Sequence, residues 1–135
     1  MSATETPTIV TGVDFVSVPT QDLERAVAFY GTTLGLRRTT YRPDSNFAEF
    51  DTGTVTLSVV DPQRMGIGEF RRNANHVALQ VEDVARSREA LEARGVTFMG
   101  DIFDSGVCHM AFFADPDGNA LMLHHRYAPR VPEGG

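Results

Sequence analysis

The chain states one pattern twice. Residues 13–36 read VDFVSVPTQDLERAVAFYGTTLGL, and residues 75–96 read NHVALQVEDVARSREALEARGV. Each copy is an alternating apolar stretch, an acidic turn, an amphipathic helix and a glycine stop. A second echo follows, FAEFDTGTVTLSVV at 47–60 against MAFFADPDGNALMLHH at 110–125. Within 135 residues, this repeat predicts two small modules that share one core.

The details of each copy set its elements. Around residues 12–19, Val13, Phe15, Ser17 and Pro19 alternate with Asp14, Val16 and Val18, which is strand periodicity. Thr20 and Asp22 are N-cap candidates for a helix with Leu23, Val27, Tyr30 and Leu34 on one stripe, and Gly35 ends it. Three short strands are expected over 36–60, the last two joined at Asp51-Thr52-Gly53. The second half repeats the order: a strand from His76 to Val81, a helix opened by Asp83, and strands near 96–103, 107–114 and 119–126. Asp115-Pro116-Asp117-Gly118 forms the turn before the last of these.

The reading is an α+β fold of two tandem βαβββ modules forming a curved mixed sheet around a cleft. The expected boundaries are a flexible N-terminus at 1–9, a first module at 10–60, a linker at 61–74, a second module at 75–126 and a flexible tail at 127–135.

Composition narrows the function classes. The net charge of −6 is scattered rather than gathered into a basic stripe, which argues against nucleic acid and against an acidic membrane surface. No apolar run approaches the ~20 residues of a bilayer span, and the start lacks a signal-peptide pattern. The single Cys108 precludes an internal disulfide. A cytoplasmic location is the expectation.

Three segments carry a family resemblance: VPTQDLERAVAFYGTTLGL at 18–36, NHVALQVEDV at 75–84 and FFADPDGNALML at 112–123. With them the chain resembles the vicinal oxygen chelate superfamily, which includes glyoxalase I, extradiol dioxygenases and bleomycin-binding proteins. The resemblance implies metal ligands from the first and last strands of each module. Internal spacing transfers those positions. Phe15 precedes Asp22 by seven residues as His76 precedes Asp83, and Ser58 follows Asp51 by seven as Met122 follows Asp115. Family metalloenzymes carry His, then Glu, Gln or His, then His, then Glu. Here Phe15, Ser58, His76 and Met122 stand there, and only His76 conforms. A phenyl ring is no ligand, a thioether suits soft ions, and a neutral hydroxyl is a poor donor. Glyoxalase I activity is therefore disfavoured and no cofactor is expected. A non-standard divalent site on His76 and His124 is the competing reading.

The remaining candidates follow from strand alternation combined with the inward face that the resemblance implies. His76 and His124 are the acid–base candidates; for His76 the alternative is a cleft-wall histidine satisfied by a neighbour. Phe15, Ser17, Ser58, Gln80, Cys108, Met110, Phe112 and Met122 are the ligand-binding candidates. The apolar members form a sulfur-rich wall for a flat or greasy ligand, against the alternative of ordinary core packing. Cys108 reads as an inert buried thiol. His109 and His125 should face the other way, and Glu49 could face either. Arg71 and Arg72 could reach an anion, with a solvated pair as the default.

Three functions stay open. One is a metal-independent binding protein for a hydrophobic or aromatic small molecule, antibiotic-like or a natural-product intermediate. Another is a lyase, isomerase or cyclase using His76 and His124. The third is a structural or partner-binding dimer with no small-molecule ligand. The expected partners are a small-molecule ligand and a second copy of the chain. That copy would face Phe15 and Ser58 of one protomer toward the partner's His76 and the partner's Met122 in a swapped arrangement.

Overall fold

The computed structural model describes residues 6–131, so residues 1–5 of the expected flexible N-terminus (1–9) and 132–135 of the expected flexible tail (127–135) lie outside the described residues. The first module runs β1 (Phe15–Pro19), α1 (Leu23–Ala28), β2 (Arg37–Arg42), β3 (Phe47–Asp51) and β4 (Thr56–Val60). A short α2 (Pro62–Met65) lies in the linker. The second module is β5 (Val77–Gln80), α3 (Val84–Ala93), β6 (Phe98–Asp104), β7 (Cys108–Ala114) and β8 (Ala120–Arg126). Each makes a four-stranded mixed sheet, ordered β1-β4-β3-β2 and β5-β8-β7-β6. In both, the first strand pairs parallel with the last, and the other contacts are antiparallel. The two βαβββ modules expected from the repeat are thus present.

Local chemistry explains the helix boundaries. Asp22 caps α1 by accepting from the Arg25 amide at 3.0 Å, and Asp83 caps α3 through the Arg86 amide at 2.9 Å. Gly35 and Gly95 follow the helices at φ of 78° and 92°, a region that β-carbons disfavour. The first helix departs from a plain α-helix. Past Ala28 it widens into a π-helical turn over Phe29–Thr33, which delivers Tyr30 to the interior.

Each sheet turns one face to its helix. Val18, Ala48, Phe50, Leu57 and Val59 of the first sheet share one buried cluster with Ala111, Phe113, Leu121 and Leu123 of the second. The modules are also joined by the turn between β7 and β8. Tyr30 donates its hydroxyl to Asp115 at 2.6 Å, Thr20 donates to Asp117 at 2.6 Å, and Asn119 Nδ2 donates to the Pro19 carbonyl at 2.7 Å. Asn119 Oδ1 accepts from the Asn73 amide at 2.8 Å, which fastens the linker to the same turn. The DPDGN sequence therefore serves as an inter-module clamp as well as a turn.

Candidate functional site

Alternation fixes which residues occupy the sheet face away from the helices, here termed the open face. In the second module, Leu121 and Leu123 point to the core, so Met122, His124 and Arg126 point outward. Register then builds a grid of neighbours. Met122 stands between Ala78 and Phe112, and His124 between Gln80 and Met110. Arg126 pairs with Cys108. The outer strand adds Met99 beside Phe112 and Phe103 beside Met110. His76 sits immediately before β5 and meets the Phe112 ring edge-on, with centroids 5.0 Å apart.

The open face of the first module is different in character. Ser17 is registered to Ser58, and Ser58 to Glu49. Phe15 lies beside Thr56, and Phe47 beside Val60. Glu49 is flanked by the buried Ala48 and Phe50, so its carboxylate belongs to the open face. That resolves the ambiguity in the sequence, because the irregularity in this region lies in β2, between Arg38 and Thr40, and leaves β3 regular.

The structure thus gathers His76, Gln80, Cys108, Met110, Phe112, Met122 and His124 on one open face, and Phe15, Ser17 and Ser58 on the other. The repeat register also holds in three dimensions: Ser17 pairs with Ser58 as Ala78 pairs with Met122. Cys108 and Ser58 are buried, whereas Phe15 is 56% exposed, Met99 55% and Phe103 53%. His109 and His125 are separate from this set. His125 Nδ1 lies 3.1 Å from the Val81 carbonyl, and His109 Nε2 lies 3.4 Å from Asp104.

A cavity of about 660 Å³ lies elsewhere, between the modules. Val16, Leu36, Leu57, Leu79 and Leu91 line it, and of the sequence candidates only Gln80 reaches it. Among the described residues, no three His, Cys, Asp or Glu side chains converge as a metal set. Within one chain, the four positions transferred from family metalloenzymes offer one imidazole, one hydroxyl, one phenyl and one thioether, which do not suit a hard divalent ion.

Sequence reasoning passed over Arg126, Met99 and Phe103. The signal for Arg126 was present, since it follows Met122 and His124 in the same period-two series. Met99 and Phe103 were hidden by the irregular pairing of β6 between them.

Residues 12–123 match the model of the glyoxalase/bleomycin resistance protein/dioxygenase superfamily. The chain belongs to that superfamily. A curated relative, the uncharacterized protein YraH of Bacillus subtilis (strain 168), is 25% identical over 114 residues, covering 76% of this chain and 89% of YraH. Among solved structures, TnmS3, an antibiotic-binding protein from Streptomyces sp. CB03234, superposes with a TM-score of 0.73 at 25% identity, covering 89% of this chain and 99% of its own. Lactoylglutathione lyase from Agrobacterium tumefaciens superposes equally well, with a TM-score of 0.73 at 19% identity, covering 85% of this chain and 93% of its own. A binder and a lyase share this scaffold, so function in this superfamily must be argued from the open-face residues. No helix among the described residues is long and apolar enough to cross a membrane.

Proposed function

We propose that the protein binds a hydrophobic, aromatic small molecule between open faces, without a metal. The observation that carries this reading is the grid on the second module. Met122, Phe112, Met110, Met99 and Phe103 form a polarizable apolar surface, and His76, Gln80 and His124 supply directional polar contacts along one side. Flat ligands stack on phenyl and imidazole rings, and flexible thioethers adapt to their outline. The antibiotic-binding relative supports the same reading at the level of the fold.

The exposure of Phe15, Met99 and Phe103 supports a homodimer. In it, Phe15 and Ser58 of one protomer face the partner's His76 and the partner's Met122, so each binding cleft takes one wall from each chain. The chain contains no tryptophan, so no indole emission competes with that of a fluorescent ligand. The test is titration with 1-anilinonaphthalene-8-sulfonate and a panel of polycyclic aromatic antibiotics, using wild type and Phe112→Ala. Saturable binding weakened at least tenfold by the substitution is expected. Absence of saturable binding by wild type contradicts the reading.

A second reading, a lyase, isomerase or cyclase, is favoured by one arrangement. His76 and His124 share an open face, and Glu49 on the other module is the carboxylate beside Ser58. Acid–base catalysis by this set requires that His76→Ala combined with His124→Ala abolish turnover. Unchanged turnover in that double variant removes the reading.

A further inference from the structure

Arg126 stands on the open face at the end of the series Met122, His124, Arg126 and pairs in register with the buried Cys108. Among the described residues, its Nε is the only buried side-chain nitrogen or oxygen without a hydrogen-bond partner. Among the described residues its side chain makes one hydrogen bond, a long one of 3.4 Å from Nη2 to the Pro129 carbonyl. Within one chain, no described carboxylate lies within ion-pair distance of it. The open-face residues of β5, β7 and β8 include no acid at all: Ala78 and Gln80; Cys108, Met110, Phe112 and Ala114; Ala120, Met122 and His124.

A guanidinium keeps its charge at every accessible pH, so a partly buried one without a counter-charge cannot relieve the cost by losing a proton. Arginines in such settings are stabilised by an anion presented in the plane of the guanidinium fork. We infer that Arg126 is the anion-recognition residue of the cleft, and that the ligand carries a carboxylate or a similar oxyanion at the end opposite its aromatic body. Alternation gives the reach. Successive open-face residues of a strand are about 6.7 Å apart. An aromatic body over Met110 and His124, with Phe112 and Phe103 at its edges, would then put an acidic substituent one rung along, near Arg126. This inference rests on the aromatic cleft proposed above and adds the charge of the ligand.

The probes are 2-naphthoate and its neutral isostere 2-naphthamide, titrated calorimetrically into the full-length protein at about pH 8.5, where an ordinary histidine is uncharged. Wild type is expected to bind the naphthoate at least tenfold more tightly than the amide. Arg126→Gln should bind both with the affinity that wild type shows for the amide, and Arg126→Lys should keep part of the preference. Equal affinity of wild type for both probes overturns the inference while leaving the aromatic cleft intact. That comparison needs no variant to fold. A preference that survives in a folded Arg126→Gln variant assigns anion recognition to another group and overturns it as well. Failure of both probes to bind wild type removes the cleft reading together with this one.

Discussion

Removal of the Tyr30 hydroxyl should leave a measurable mark at both neutral and alkaline pH. The side chain is fully buried, and its hydroxyl donates to Asp115 Oδ2 at 2.6 Å. Asp115 has three other donors: Asn119 Nδ2 at 2.8 Å and the backbone amides of Asp117 and Asn119 at 2.9 Å each. Tyr30→Phe deletes one donor of four and leaves the carboxylate held. A hydrogen bond to a charged group contributes about 1.5–3 kcal/mol, so a loss of about 2 kcal/mol is expected at neutral pH. Burial first, and then the field of Asp115 and this hydrogen bond, push ionisation of Tyr30 far above the ordinary tyrosine range. In the unfolded chain the phenol ionises near pH ~10. The stability that comes from keeping Tyr30 neutral is fully present below that pH. Above it, the unfolded state releases a proton that the folded state retains, and stability falls by about 1.4 kcal/mol per pH unit. The phenylalanine variant lacks this dependence, and the other tyrosines are common to both proteins. Urea unfolding followed by circular dichroism at about pH 7.5 and about pH 11 should show the gap between the proteins narrowing by about 1.4 kcal/mol. A neutral-pH gap under about 0.5 kcal/mol, or one that does not narrow, refutes the clamp.

Three further outcomes are expected. Asp117 accepts from Thr20, the Gln21 amide and Arg25, and its side chain is fully buried, so Asp117→Ala should lower the unfolding free energy by about 2–4 kcal/mol in urea. Asp104 is held below the usual carboxylate range, first by the Gly106 amide and then by the Tyr127 hydroxyl. Any stability it contributes is therefore present above the usual carboxylate pKa and lost as pH falls through the folded-state value. Tyr127→Phe should move the Asp104 titration upward in a carboxylate-detected NMR experiment. Finally, Phe15→His, Ser58→Glu and Met122→Glu together should create uptake of manganese or zinc that dialysed wild type does not show, measured by elemental analysis.

The repeat made the architecture legible because each signal is local. A period-two run, an acidic cap, a helical stripe and a glycine stop appear twice in one order, and the described elements follow them closely. The open-face lists for β5, β7 and β8 were legible for the same reason, since those strands pair without irregularity. What escaped the sequence lies where local rules give way. The π-helical turn that aims Tyr30 inward reflects tertiary packing. The roles of Asp115, Asp117 and Asn119 in joining modules depend on partners some 85–100 residues away in the chain. Arg126 was passed over because an arginine near a chain end reads as solvated until its neighbours are known. The position of the 660 Å³ cavity, away from nearly all the sequence candidates, depends on how the modules pack together.

The central claim is a cleft that holds an aromatic ligand without a metal. Native mass spectrometry of the purified protein, before and after exposure to manganese, iron(II), cobalt, nickel and zinc and then to 2-naphthoate, tests it most directly. The account predicts a dimer that retains none of the metals in stoichiometric amount and takes up one naphthoate per cleft. A dimer that takes up one metal per cleft, and binds naphthoate only when loaded, contradicts it.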